Sequence, residues 1–182
     1  MKKTQTLALA MAVAGLVGAG TAAAQGPASE KASKLNDAEI AAIVVAANAV
    51  DADMGEWAAA RASSEAVKQF GKTMATDHRA VNQAAGELVG KLKVTPVENA
   101  VSQKLRADGA AVRAKLAAKS GAEFDRAYIT HEIEYHKAVI AAVDDVLVPN
   151  STNAELKATL ISVRPALVAH LQHAEKLLAG MK

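Results

Sequence analysis

Four stretches of this sequence carry apolar residues in alternating steps of three and four, a spacing that leaves little room for anything but long helices packed side by side. The first seam runs Ile40, Val44, Ala47, Asp51, Met54, Ala58, and the second Val67, Gly71, Met74, His78, Val81, Ala85, Leu88, Leu92. The third runs Ile129, Ile133, His136, Ile140, Val143, Leu147, and the last Leu156, Leu160, Val163, Leu167, His170, Ala174, Leu177. A continuous helix under such a seam is about 40 Å long at ~1.5 Å rise per residue. Alanine supports the same conclusion: it fills 44 of 182 positions, against 4 prolines and 5 aromatic residues. Such a composition favours closely packed helices over strands.

The breakers fall between the seams. Asn36 with Glu39 reads as the cap of a first helix reaching about Ala62, and Ser63-Ser64 as the cap of a second over roughly 65–92. Val94-Thr95-Pro96, Ser120-Gly121 and Pro149-Asn150 mark the later boundaries, with Ser151 to Asn153 capping the last helix. Pro165 alone falls inside a helix, where a kink or local break is expected. The segment of about 98–119 has only a thin stripe (Val101, Leu105, Val112, Leu116) and suits a connection running the length of the molecule. The expected fold is all-α: a ferritin-like four-helix bundle with an extra connecting helix between the second and third bundle helices.

Residues 1–24 read as a secretory signal, with Lys2 and Lys3, an apolar run from Leu7 to Val17, and Ala22-Ala23-Ala24 before a cut at Gln25. The run is short of the ~20 residues a spanning helix needs. The expected organisation is therefore a signal peptide (1–24), a disordered lead-in (25–35) and one helical-bundle domain (36–180). The mature chain would have no transmembrane segment and would be exported to the periplasm. Removing Lys2 and Lys3 takes the formal charge from +2 to zero, with 19 basic and 19 acidic residues, so no nucleic-acid-binding surface is indicated. No cysteine is present, which excludes disulfides, thiolate metal sites and a thiol nucleophile.

Each seam has one polar interruption: Asp51, His78, His136 and His170. Counted from the turns, three of them share a depth, with His170 offset by up to ~6 Å. A carboxylate and three imidazoles converging in a bundle core suit a divalent transition metal such as Zn, Cu or Fe. The same groups would otherwise satisfy one another as a buried hydrogen-bond network that fixes helix register. Imidazole nitrogens about 3–4 Å apart would suit a shared ion, and beyond ~8 Å a shared site fails, given ~2.1 Å metal–nitrogen bonds. Asp53, on an adjacent stripe with Ile43, Val50 and Trp57, competes with Asp51 for the inward position. Asp77 and Glu132 are candidates to orient the imidazoles from behind, although an i,i+4 pair such as Glu132–His136 is more commonly solvated. Left unpaired in the core, these histidines would loosen the fold below about pH 6.

Other candidates are weaker. Met54 and Met74 read as core fillers, though methionine beside His78 would suit copper. His131 shares a face with Phe124, Tyr128 and Tyr135 that is expected to pack on the connecting segment, and His173 flanks the last seam. Asp125 matches the dipole at the start of its helix, and Arg126 is expected to pair with an acid across the bundle. A di-iron carboxylate bundle needs inward Glu-x-x-His pairs, and the sequence has none. Non-covalent haem would need a wide apolar slot. No phosphate loop, nucleophile elbow or nucleophile–base pair is visible, so no enzymatic reading is favoured.

Several stretches resemble a bacterial exported family, the domain-of-unknown-function family numbered 4142, grouped with ferritin-like bundles. They are Met74-Ala-Thr-Asp77-His78 with Asn82, Ser120 to Tyr128, His136, and Pro165 to Leu171. Asp51-Ala-Asp-Met-Gly55 resembles the family's first-helix pattern, with Asp where Glu is usual, and Tyr135 stands where an acid is usual. The likeness covers about residues 36–178. It implies a helical bundle in the bacterial envelope, for which members carry an outer-membrane label, and recurring histidines at His78, His136 and His170. It lends no catalytic residue. The function expected is an exported bundle binding a metal ion or small ligand in its core; the alternative is a structural or interaction protein of the envelope without metal.

Overall fold

The computed structural model describes residues 34–181, and these are all-α, with no strand among them. The expected signal peptide and most of the lead-in lie outside the described residues. Helix α1 spans Asp37–Arg61, α2 Glu65–Leu92, α3 Ala100–Ala117, α4 Gly121–Ala142, α5 Val148–Asn150 and α6 Ala154–Gly180, with a π-helical turn, Val143–Leu147, joining α4 to α5. None of these helices is long and apolar enough to cross a membrane.

Successive long helices run antiparallel, and side chains tie their ends. At one end, the Asn36–Glu39 capping box opens α1. Beside it the Asp37 carboxylate accepts from the backbone N–H groups of Thr152 and Asn153 and from the Thr152 hydroxyl, closing the turn into α6. At the other end, Ser63 and Ser64 do not cap α2 with their own side chains as expected. Asp125 of α4 takes that place: its carboxylate accepts from both serine N–H groups and from the Ser63 hydroxyl. Its service is thus to the first turn of α2 rather than to the dipole of its own helix.

The closest helix contact is between α1 and α2. A Cβ on Gly55 would meet the Gly71 carbonyl at 2.6 Å, and one on Gly71 would meet the Gly55 carbonyl at 2.6 Å. The two backbones therefore touch, which only glycine permits. Helix α6 packs on α4 and α2, while α3 lies along α1 and reaches α4 near its end. That is the place expected of the connecting helix, and the arrangement is compatible with a ferritin-like bundle. Pro165 does not break α6, which is helical without interruption past it. The carbonyl that loses its partner is that of Ile161, an exposed residue, so water can satisfy it. The irregular turn falls instead at Val143–Leu147, within a seam that sequence alone reads as regular.

Two apolar clusters fill the interior. One, towards the α1–α2 turn, contains Phe70, Met74, Phe124, Tyr128 and Ile129. The other, towards the opposite end, contains Ile40, Ile43, Leu147, Leu156 and Leu160. Met54 and Met74 belong to the first, as core fillers.

Candidate metal centre

Between the two clusters lies a polar layer. Asp51, His78, Glu132 and His136 are buried, and His170 nearly so, with 11% of its side chain exposed. The contact at Gly55–Gly71 holds α1 and α2 in register one to two turns away, which fixes Asp51 against His78. Asp53 turns outward and lies beside Arg79, so of the two aspartates it is Asp51 that faces the core. The imidazole centroids form a nearly equilateral triangle: 5.7 Å from His78 to His136, 5.4 Å from His78 to His170 and 5.5 Å from His136 to His170. One ring nitrogen from each lies within 4.8 Å of the others. The offset anticipated for His170 is absent because α6 starts only at Ala154; between helix ends, His136 and His170 stand at similar depth.

Each imidazole is gripped from behind. His78 Nδ1 is 2.8 Å from Asn48 Oδ1, and Asn48 spends its own N–H on the Val44 carbonyl, so the ring must donate. His136 Nδ1 donates to the Glu132 main-chain carbonyl at 3.0 Å. His170 Nε2 donates to Asp77 Oδ2 at 3.0 Å. These bonds fix the tautomers. The opposite nitrogens, Nε2 of His78, Nε2 of His136 and Nδ1 of His170, are left as bare lone pairs, and none has a hydrogen-bond partner.

The group they meet is itself an acceptor. Asp51 Oδ2 lies 3.1 Å from His78 Nε2 and 3.7 Å from His136 Nε2, and neither Asp51 oxygen accepts from an imidazole N–H; the neighbouring carboxyl of Glu132 is the group that can share a proton with it. Glu132 Oε2 and the Tyr128 hydroxyl are buried beside Asp51 and interact with each other. A second ligand group, Asp51, Glu132 and His136, overlaps the imidazole triangle through His136. Acceptors facing acceptors in a dry core repel unless a proton or a cation lies between them.

Electrostatics follow from burial. Desolvation, helped by the neighbouring imidazoles, lowers His78 to about 3, and desolvation lowers His136 to about 4. Burial raises the carboxyls of Asp51 and Glu132, and for Glu132 the charge of Asp51 adds to the effect. Neutral imidazoles are what a metal ion requires, and a cation offsets the cost of a buried carboxylate.

The seams point to Asp51, His78, His136 and His170: the three imidazoles meet, and Asp51 reaches two of them, His78 and His136. Asp77 holds His170 as expected. Glu132 holds His136, but through its main-chain carbonyl, with Oε2 3.5 Å from the same nitrogen. Asn48 was not anticipated; its only signal is its place one turn before Asp51. His131 and His173 stay outside the centre: His131 beside Tyr135, and His173, exposed, against Phe70. The aromatic face expected on α3 is divided: Phe124 packs edge-on to Trp57, while the Tyr135 hydroxyl donates to the Ala47 carbonyl of α1. Arg126 donates to the Met181 carbonyl.

Among known proteins, the family model described as Domain of unknown function (DUF4142) matches residues 22–177. No curated protein and no solved structure matches the chain.

Proposed function

The chain belongs to the DUF4142 family, and for this member we propose that the bundle binds one divalent transition-metal ion, with Zn, Cu and Fe the candidates. The ligands are His78, His136, His170 and Asp51, with Glu132 beside them. One observation carries the reading: three imidazoles, each held from behind, bring bare nitrogens within 4.8 Å of one another, and two of them face the buried carboxylate of Asp51, which accepts from no imidazole N–H. A self-sufficient hydrogen-bond network would give each inward imidazole nitrogen a donor, and none of the three has a hydrogen-bond partner. The donor set is nitrogen and oxygen, of the kind borderline metals prefer.

The role proposed is metal handling in the bacterial envelope. The pattern at Lys2, Lys3, Leu7 to Val17 and Ala22 to Ala24 supports export to the periplasm. No open catalytic pattern accompanies the centre, so binding rather than turnover is the activity assigned. The experiment is metal analysis of protein purified from the periplasm, with melting curves after addition of Zn, Cu or Fe. Near-stoichiometric metal and a raised melting temperature are expected. Sub-stoichiometric metal with no shift for any of the three overturns the reading in favour of a structural bundle.

A further inference from the structure

We propose that ions reach the centre between α2 and α6, and that the Asp77 carboxylate beside His170 forms a transient docking site at that entrance. The inference rests on the metal-binding reading above and adds a route to it.

Burial around the centre is lopsided. The side chains of Asp51, Glu132 and His136 are no more than 1% exposed and that of His78 is 5% exposed, whereas His170 is 11% exposed and its partner Asp77 is 49% exposed. The groups behind the other two rings, Asn48 and the Glu132 carbonyl, bond within the bundle. Behind His170 stands a carboxylate in water. One imidazole thus spans from a solvated anion, through Nε2, to the buried centre, through its bare Nδ1.

These features give Asp77 a task that orientation alone does not require. A backbone carbonyl suffices to orient His136, and a neutral amide suffices for His78. A charged, exposed acceptor draws cations from solution and holds them beside an imidazole that has a second nitrogen facing inward. An ion taken first by the Asp77 carboxylate displaces the ring's Nε2–H from it; the ring keeps that proton and turns aside, the ion passes to the bare Nδ1 within, and Nε2–H then donates to Asp77 again.

The test separates rate from affinity. Zinc is presented to the full-length protein as a coloured chelator complex, and uptake and release are followed by stopped flow for wild type, Asp77→Asn, Asp77→Glu and the control Asp53→Asn. Asparagine still accepts from His170 Nε2 but carries no charge. An entrance residue makes Asp77→Asn slower by about tenfold in both uptake and release, with affinity little changed. Asp77→Glu restores the rates, and Asp53→Asn, equally a lost surface charge, leaves them alone. Unchanged uptake with faster release in Asp77→Asn would make Asp77 a positioning residue and overturn the route while leaving the metal centre standing. Wild type that takes up no zinc, copper or iron overturns both.

Discussion

At Asp51 a carboxylate sits in a dry core with bare imidazole nitrogens around it and no N–H to accept from. Above the raised titration range of this carboxyl, metal-free protein must hold the charge with only the Glu132 carboxyl beside it, which costs stability. Asp51→Asn supplies an amide donor to His78 Nε2. At pH 8.5 in chelator the variant is therefore expected to be more stable than wild type by about 1–2 kcal/mol, while losing the metal-induced rise in melting temperature. A less stable variant would indicate that Asp51 is a satisfied structural group. The layer also revises the expected acid sensitivity. Buried histidines lowered to about 3 and about 4 destabilise the fold as pH falls below 6.5, but Asp51 and Glu132, raised by burial, act in the opposite sense over much of that range. The effect is cleaner at His131, which burial lowers to about 4 and which lies outside the ligand set. Unfolded chain binds a proton there from about pH 6.5 downward, when the folded protein does not. Relative to wild type, His131→Gln should gain in melting temperature steadily from pH 7 to 5. A constant difference would show that the ring titrates normally.

At the scale of the helix, the α1–α2 contact is the tightest and the most exposed to mutation. Gly71→Ala forces a methyl to 2.6 Å from the Gly55 carbonyl and 3.0 Å from the Ala59 nitrogen. It is expected to destabilise by about 1–3 kcal/mol through overpacking. Gly86→Ala on the same helix meets nothing within 4 Å and should stabilise by about 0.5–1 kcal/mol. Equilibrium denaturation of the pair reads out the difference, and equal effects would contradict the close backbone contact. Helix boundaries were legible because Asn36, Pro96, Ser120 and Pro149 each act locally. The π-turn at Val143–Leu147 was not, since nothing in Val-Asp-Asp-Val-Leu departs from a regular seam. The Asp125 clamp was equally hidden: its partners, Ser63 and Ser64, are some 60 residues away in sequence and become neighbours only when α4 docks.

On the scale of the whole molecule, two apolar clusters hold the ends of the bundle and a polar layer occupies its middle. The layer's members were legible where they interrupt a seam, which is why Asp51, His78, His136 and His170 stand out in sequence. Asn48 and the carbonyl of Glu132 were not, because a mid-helix amide and a backbone oxygen carry no pattern of their own. An ion bound as proposed would draw its ligands from four helices and stabilise all of them together, by about 4 kcal/mol at a thousandfold excess over the dissociation constant. The most direct test is an anomalous difference map from crystals of the zinc-loaded protein. A single peak about 2.0–2.1 Å from Nε2 of His78, Nε2 of His136 and Nδ1 of His170, with an Asp51 oxygen completing the set, is the expected result. Three imidazoles hydrogen-bonded to water or to one another, with no peak among them, would contradict it.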